Sequence, residues 1–172
     1  VENTLYVHVT YVPYIKAAGE LKSKPTQHSV KALREVGIQP DVLICRSEHF
    51  IPHETKSKIG LFCSIRPENV ISAYDADTIY EVPLMLNEEG FDDKVVEALQ
   101  LEPSKPQLTD WNKMVKTIKS PSQEVNIGIV GKYTNLTESY KSLNEALVHG
   151  GIATDCRVNL TYINSEKLSE KN

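Results

Sequence analysis

The stretch Gly19-Glu20-Leu21-Lys22-Ser23-Lys24-Pro25-Thr26-Gln27 gathers residue types that suit a polyphosphate. Residues 14–34 hold five basic side chains (Lys16, Lys22, Lys24, Lys31 and Arg34) against Glu20 alone, a local charge of +4 in a chain of net charge -4. A proline disfavours the helical region for the residue before it, so Lys24 is predicted to be extended. Residues two apart in an extended segment face the same way, which would aim Lys22 and Lys24 at one ligand. Pro25 also suits the first turn of a following helix. The backbone N–H groups of Thr26, Gln27 and His28 would then face the same place, with the positive end of the helix dipole behind them. Two ammonium groups, a hydroxyl and these donors make a cradle for a polyphosphate. Taken alone, the segment favours a plainer reading, a solvated basic loop ahead of a helix.

Other constellations carry less. Gly128-Ile129-Val130-Gly131-Lys132 suggests a phosphate-binding loop but fails the pattern G-x-x-x-x-G-K-[ST], because Asn126 and Tyr133 stand where Gly and Ser or Thr are required. A tight turn after a strand is the better reading. Asp75 and Asp77 form a D-x-D, and residues 75–102 hold nine acidic residues against Lys94, a local charge of -8. Carboxylates suit hard cations, yet residues scattered over two helices read better as a solvated acidic face. His49 and His53 are four apart with Ile51 and Pro52 between them, which argues for loop histidines over a metal pair. No residue set here is assigned to a metal. Cys45, Cys63 and Cys156 are odd in number and widely spaced, so buried free thiols in a reducing cytoplasm are expected in place of disulfides or zinc. There is no G-x-S-x-G nucleophile motif.

The elements that must position these residues follow from pattern. Residues 5–12 alternate in polarity and are rich in β-branched and aromatic side chains, which predicts a strand. A loop punctuated by Pro13, Gly19 and Pro25 leads to a helix over 26–36, with Val30, Leu33 and Val36 at helical spacing and Gly37 just past its end. Residues 42–45 and 70–72 are short apolar runs of the buried parallel-strand type. Residues 53–62 predict a helix with Ile59 and Phe62 inward, and 84–89 and 93–99 two more short helices. This order is that of an α/β doubly wound sheet, in which ligands sit at the carboxyl ends of the strands. The segments after residue 12, after Cys45 and after Ser72 should therefore converge.

The 172 residues have the length of one ordinary domain, and 40% hydrophobic content permits a core. A composition shift at Leu101 nevertheless divides them. Residues 102–124, with Pro103, Pro106 and Pro121 and a short helix around Trp111, read as a linker. A strand over 126–132, a helix over 137–148 ended by Gly150-Gly151, and a strand over 157–163 then start a second α/β unit. The net negative charge argues against a nucleic-acid partner, and no apolar run approaches the ~20 residues of a membrane helix. The chain opens Val-Glu-Asn without Met, which reads as a processed or excised piece.

Lys22-Ser23-Lys24-Pro25-Thr26-Gln27-His28-Ser29-Val30 resembles the K-[ST]-K-P-T-Q-H-S-V signature of the CTP synthase family. The likeness continues in order through Gly37-Ile38-Gln39-Pro40-Asp41, Cys45-Arg46-Ser47, Leu61-Phe62-Cys63, Val70-Ile71-Ser72, Ile79-Tyr80-Glu81-Val82-Pro83 and Val130-Gly131-Lys132-Tyr133. It implies the rear part of a P-loop-like, doubly wound amidoligase domain over 1–101, an interdomain linker over 102–124, and the start of a flavodoxin-like glutaminase domain over 125–172. The activity implied is ATP-dependent amination of UTP to CTP, with ammonia from glutamine, GTP as activator, CTP as inhibitor and Mg²⁺ as cofactor. The implied assembly is a cytoplasmic homotetramer.

By the same resemblance, Lys22, Ser23, Lys24, Pro25, Thr26, Gln27 and Lys58 would hold the triphosphate of UTP or CTP. Arg46, Tyr74, Asp75 and Ala76 would border the adenine of ATP, with backbone contacts at Tyr74 and Ala76, where the residues depart from the family's. Lys132, Tyr133 and Lys141 would edge a GTP-responsive loop. The Mg²⁺ ligands, the ATP P-loop and the glutaminase Cys-His-Glu triad are expected outside this segment, so the isolated chain is expected to lack catalysis. The alternative is a non-catalytic nucleotide-binding or assembly module that kept the cradle.

Overall fold

Val7–Tyr11 form the first strand, β1, in the computed structural model, which describes residues 3–168. Its alternation sorts the side chains: His8 and Thr10 turn toward the first helix, while Val7, Val9 and Tyr11 stay exposed. The following segment is not a plain loop. It folds back as a two-stranded antiparallel hairpin, β2 (Tyr14–Ile15) and β3 (Glu20–Leu21), turned at Gly19. Strands of two residues leave no periodicity by which a sequence could reveal them.

Helix α1 (Lys24–Glu35) starts two residues before the predicted start, with Ser23 as N-cap in the right-handed helical region. The expected extended Lys24 is thus corrected: it is the first helical residue, and Pro25 follows it within the first turn, where its missing N–H costs nothing. Gly37, at φ +86°, ends the helix as expected, its N–H donating to the Arg34 carbonyl at 2.9 Å. Strand β4 (Val42–Arg46), helix α2 (His53–Cys63), a 3₁₀ turn over Pro67–Asn69 and strand β5 (Val70–Ala73) follow. A second 3₁₀ turn (Ile79–Glu81) leads into helices α3 (Val82–Glu88) and α4 (Phe91–Ala98).

The sheet order is β1-β4-β5, all parallel. Its buried face meets α1 and α2 in a core that includes Val12, Val30, Leu43, Cys45, Ile51, Ile59, Cys63 and Val70. Ile59 points inward as predicted. Phe62 does not: it is 57% exposed, because the buried arc of α2 runs through Ile59, Gly60 and Cys63.

Residues from 107 onward form a separate compact unit. The helix expected around Trp111 is α5 (Thr109–Lys119), three turns long. Strands β6 (Gln123–Gly131) and β7 (Cys156–Asn164) pair in parallel, joined through a 3₁₀ turn (Thr137–Tyr140) and helix α6 (Lys141–Ala153). Gly150-Gly151 does not end α6, which runs to Ala153. Gly151 serves close packing instead: a Cβ there would lie 2.5 Å from the Cys156 carbonyl oxygen and 2.8 Å from Val158 Cγ2. Among the described residues no helix is long and apolar enough to cross a membrane.

Candidate functional site

The parallel register aligns Tyr11 with Arg46, and Arg46 with Ala73, so three segments leave the sheet at the same end. They do converge. The Tyr14 and His49 rings meet edge to face at 4.4 Å, and Phe50 meets Tyr74 edge to face at 5.9 Å. His49 is therefore packed against the hairpin, and among the described residues no cluster of three metal-ligating side chains forms.

Arg46, the last residue of β4, spans the end of β5. Its Nη1 donates to the carbonyls of Ser47 at 2.7 Å and Ala73 at 3.1 Å, and its Nη2 pairs with Asp75 Oδ1 at 2.6 Å. Beside it opens a pocket of about 390 Å³ lined by Ile44, Arg46, Tyr74, Ala76, Ile79 and Met85 among others. An apolar floor with a guanidinium at its rim suits a flat, electron-rich ring system. Arg46, Tyr74, Asp75 and Ala76, singled out in the sequence, thus stand together.

Lys22 and Lys24 flank Ser23 at the start of α1. Lys22 follows β3 directly and pairs with Glu20. The hydrogen-bonded Lys22 ammonium, with the Lys58 charge adding to it, holds the exposed Glu20 carboxyl below the usual carboxylate range. Lys58 reaches this site from α2, its charge acting on Glu20 more weakly than that of Lys22. Lys24 is exposed on the first turn of α1. Ser23 and Thr26 of the signature face inward, while Pro25 and His28 are exposed. Ser23 is buried and accepts from Gln27 Nε2 at 3.1 Å. The fully buried Thr26 hydroxyl donates to the Tyr11 carbonyl at 3.1 Å and lies 3.2 Å from Thr10 Oγ1, welding α1 to β1. The Gln27 N–H, expected to face a ligand, closes the first helical turn onto the Ser23 carbonyl at 3.1 Å. Lys24 and Thr26 therefore carry the backbone donors at the open end of the helix, since proline has none.

Sequence reading missed one polar pair. Lys56 of α2 and Glu89, after α3, form an ion pair with side chains only 14% and 13% exposed. Glu89 corrects the expectation of a wholly solvated acidic face. A signal was available: at 100° per residue, Lys56 falls on the arc of Ile59, Gly60 and Cys63.

In the second unit, Lys132 and Tyr133 lie just past the end of β6. Tyr133 is exposed at φ +58°, and the Tyr140 hydroxyl donates to the Lys132 carbonyl. Lys132 Nζ lies 3.9 Å from Glu166 Oε1, and Lys141, the first residue of α6, lies 3.8 Å from Glu138 Oε2. All three side chains are open to solvent.

Residues 1–101 match the family described as CTP synthase N-terminus. Proteins named CTP synthase are similar over nearly the whole chain. That of Syntrophus aciditrophicus is 57% identical over 169 residues, covering 98% of this chain and 31% of the relative. That of Bdellovibrio bacteriovorus is 59% identical over 170 residues, covering 99% and 32%. That of Pelobacter propionicus is 61% identical over 167 residues, covering 96% and 31%. The chain thus spans about a third of the length of the curated relatives it matches.

Proposed function

Because the chain belongs to the CTP synthase family, we propose that it supplies nucleotide-holding parts of an enzyme that aminates UTP to CTP at the expense of ATP. Residues 1–101 then form the rear part of a P-loop-like amidoligase domain. Residues 102–124 form the connection, whose helix α5 belongs to the second compact unit, and 125–172 the opening of a flavodoxin-like glutaminase domain. The working protein on this reading is a cytoplasmic homotetramer fed with ammonia from glutamine.

The observation that carries the proposal is the Lys22–Glu20 ion pair just ahead of the open first turn of α1, with the Lys58 charge also acting on Glu20. The γ- and β-phosphates of UTP would displace Glu20 from Lys22 and take charge-assisted hydrogen bonds from Lys22, Lys24 and Lys58. The Lys24 and Thr26 N–H groups would add the helix-end donors. Ser23, Pro25 and Gln27 shape this turn: the Gln27 amide fixes Ser23, and Pro25 fixes the backbone. CTP shares the triphosphate and would occupy the same place.

The adenine of ATP would enter the pocket beside Arg46, against the guanidinium and the backbone of 74–76, with Asp75 orienting Arg46. Phosphate transfer to the uracil O4 and its displacement by ammonia would follow on residues beyond this chain. Mg²⁺, which in such an enzyme would neutralise nucleotide phosphates, would be held by carboxylates outside this chain, and no step is assigned to it here. Lys132, Tyr133 and Lys141 would border a GTP-responsive loop through their exposed side chains.

Lys22→Ala and Lys24→Ala in the full-length protein test this reading. Each removes a charge-assisted bond to phosphate of about 1.5–3 kcal/mol, or ~10- to 100-fold in affinity. UTP saturation and CTP inhibition are expected to weaken together in steady-state assays. Unchanged CTP inhibition beside weakened UTP use would rule out the shared site.

A further inference from the structure

Glu89 stands at the turn between α3 and α4, yet its side chain reaches the carboxyl end of β5. Its Oε2 accepts from Lys56 Nζ and, at 2.7 Å, from the backbone N–H of Ser72. Ser72 is fully buried, and its Oγ accepts from the Ile51 N–H at 3.0 Å. Lys56 Nζ also lies 5.3 Å from the centroid of the Phe50 ring, which in turn meets Tyr74. One carboxylate and one ammonium thereby join α2, the 50–52 segment, the end of β5 and the α3–α4 turn.

A largely buried ion pair is a poor source of net stability, because desolvating both charges offsets most of their attraction. What it offers here is fixed geometry. Helix α2 carries Lys58 two residues beyond Lys56, and β5 runs directly into Tyr74, Asp75 and Ala76. We infer that Lys56 and Glu89 are positioning residues that hold the triphosphate-side Lys58 and the adenine-side segment 74–76 in one relation. The inference rests on the nucleotide assignments proposed above.

The test is made in the full-length protein, reading KM for UTP and for ATP together with Tm. Lys56→Met is expected to raise both KM values about fivefold or more and to lower Tm, since it leaves Glu89 buried and unpaired. Lys56→Arg should retain both affinities. The double variant Lys56→Met/Glu89→Leu removes the stranded charge. It should recover Tm while both KM values stay raised, and it also serves if the single variant fails to fold. Recovery of Tm and both KM values together would reduce the pair to a structural role and overturn the inference, as would a change confined to one nucleotide. Lys22→Ala and Arg46→Ala serve as controls for UTP and ATP. If they leave their nucleotide's KM unchanged, the site assignments fall and the inference with them. If they raise it while Lys56→Met does not, the inference alone fails.

Discussion

On the proposed triphosphate assignment, Glu20 stands where a phosphate oxygen would bind. It engages Lys22 and feels Lys58, and it is the acidic residue of an otherwise basic stretch. Glu20→Gln keeps the size, removes the charge and releases Lys22, so triphosphate binding should tighten. The pair is solvent-exposed and its contribution small, which sets the expected gain at about two- to fivefold in Kd for UTP. Because Lys22 and then Lys58 hold the Glu20 carboxyl below the ordinary carboxylate value, the pair persists above pH 4.5 and is lost only as the pH falls below it. The ratio of variant to parent affinity should therefore stay constant from pH 5 to 8 and close toward one in stronger acid. Calorimetric titrations across that range check both the sign and the window. A ratio that fails to close toward one below pH 4.5 would mean that a group other than Glu20 governs Lys22.

Among the elements, α6 shows how a close approach overrides a local signal. A Gly-Gly pair commonly ends a helix, yet α6 passes through both glycines because β7 returns so near that a side chain at 151 would strike the Cys156 carbonyl. Position 150 has open space for a Cβ. Gly150→Ala should thus stabilise the second unit by about 0.5–1 kcal/mol through helix propensity. Gly151→Ala should destabilise it by about 1–3 kcal/mol through overpacking against backbone that cannot yield. Urea titrations followed by circular dichroism distinguish the two, and equal effects would refute the close-approach account. The same contrast governs what the sequence revealed. The parallel strands and α1 were legible because apolar runs and 3.6-residue spacing depend on local chain alone. The grouping of Arg46 with residues 74–76 followed from strand ends meeting in a parallel sheet. The inward turn of Thr26 and the exposure of Phe62 depend on neighbours distant in sequence, whereas the β2–β3 hairpin is local but too short to show a period. Lys56 lay on a readable arc, but its partner Glu89 sits 33 residues away in a stretch whose charge suggested only solvent.

At the scale of the whole chain, two cores of unequal depth coexist. The first unit buries apolar side chains from β4, β5, α1 and α2 and from Val12 just past β1, whereas Val115 and Ile129 are the buried apolar side chains of the second among the described residues. Buried apolar area is the main stabilising term, so the second unit should unfold first and the first unit later, giving two transitions in calorimetry. Alkali should act on them unequally. Burial pushes the Cys45 thiol up to about 12, with neighbouring Cys63 adding to the shift, and burial also raises Cys63. Both belong to the first unit. In the unfolded chain these thiols ionise near their ordinary value of 9, while the folded unit keeps their protons. The stabilisation is therefore complete below pH 9 and, for Cys45, is lost as the pH rises toward 12, at about 1.4 kcal/mol per pH unit per thiol. Scans at pH 8, 9 and 10 should show the later transition falling more steeply, and Cys45→Ala should lower that transition at pH 8 but flatten its pH dependence. An unaltered slope in Cys45→Ala would show that the buried thiol does not carry the alkaline lability.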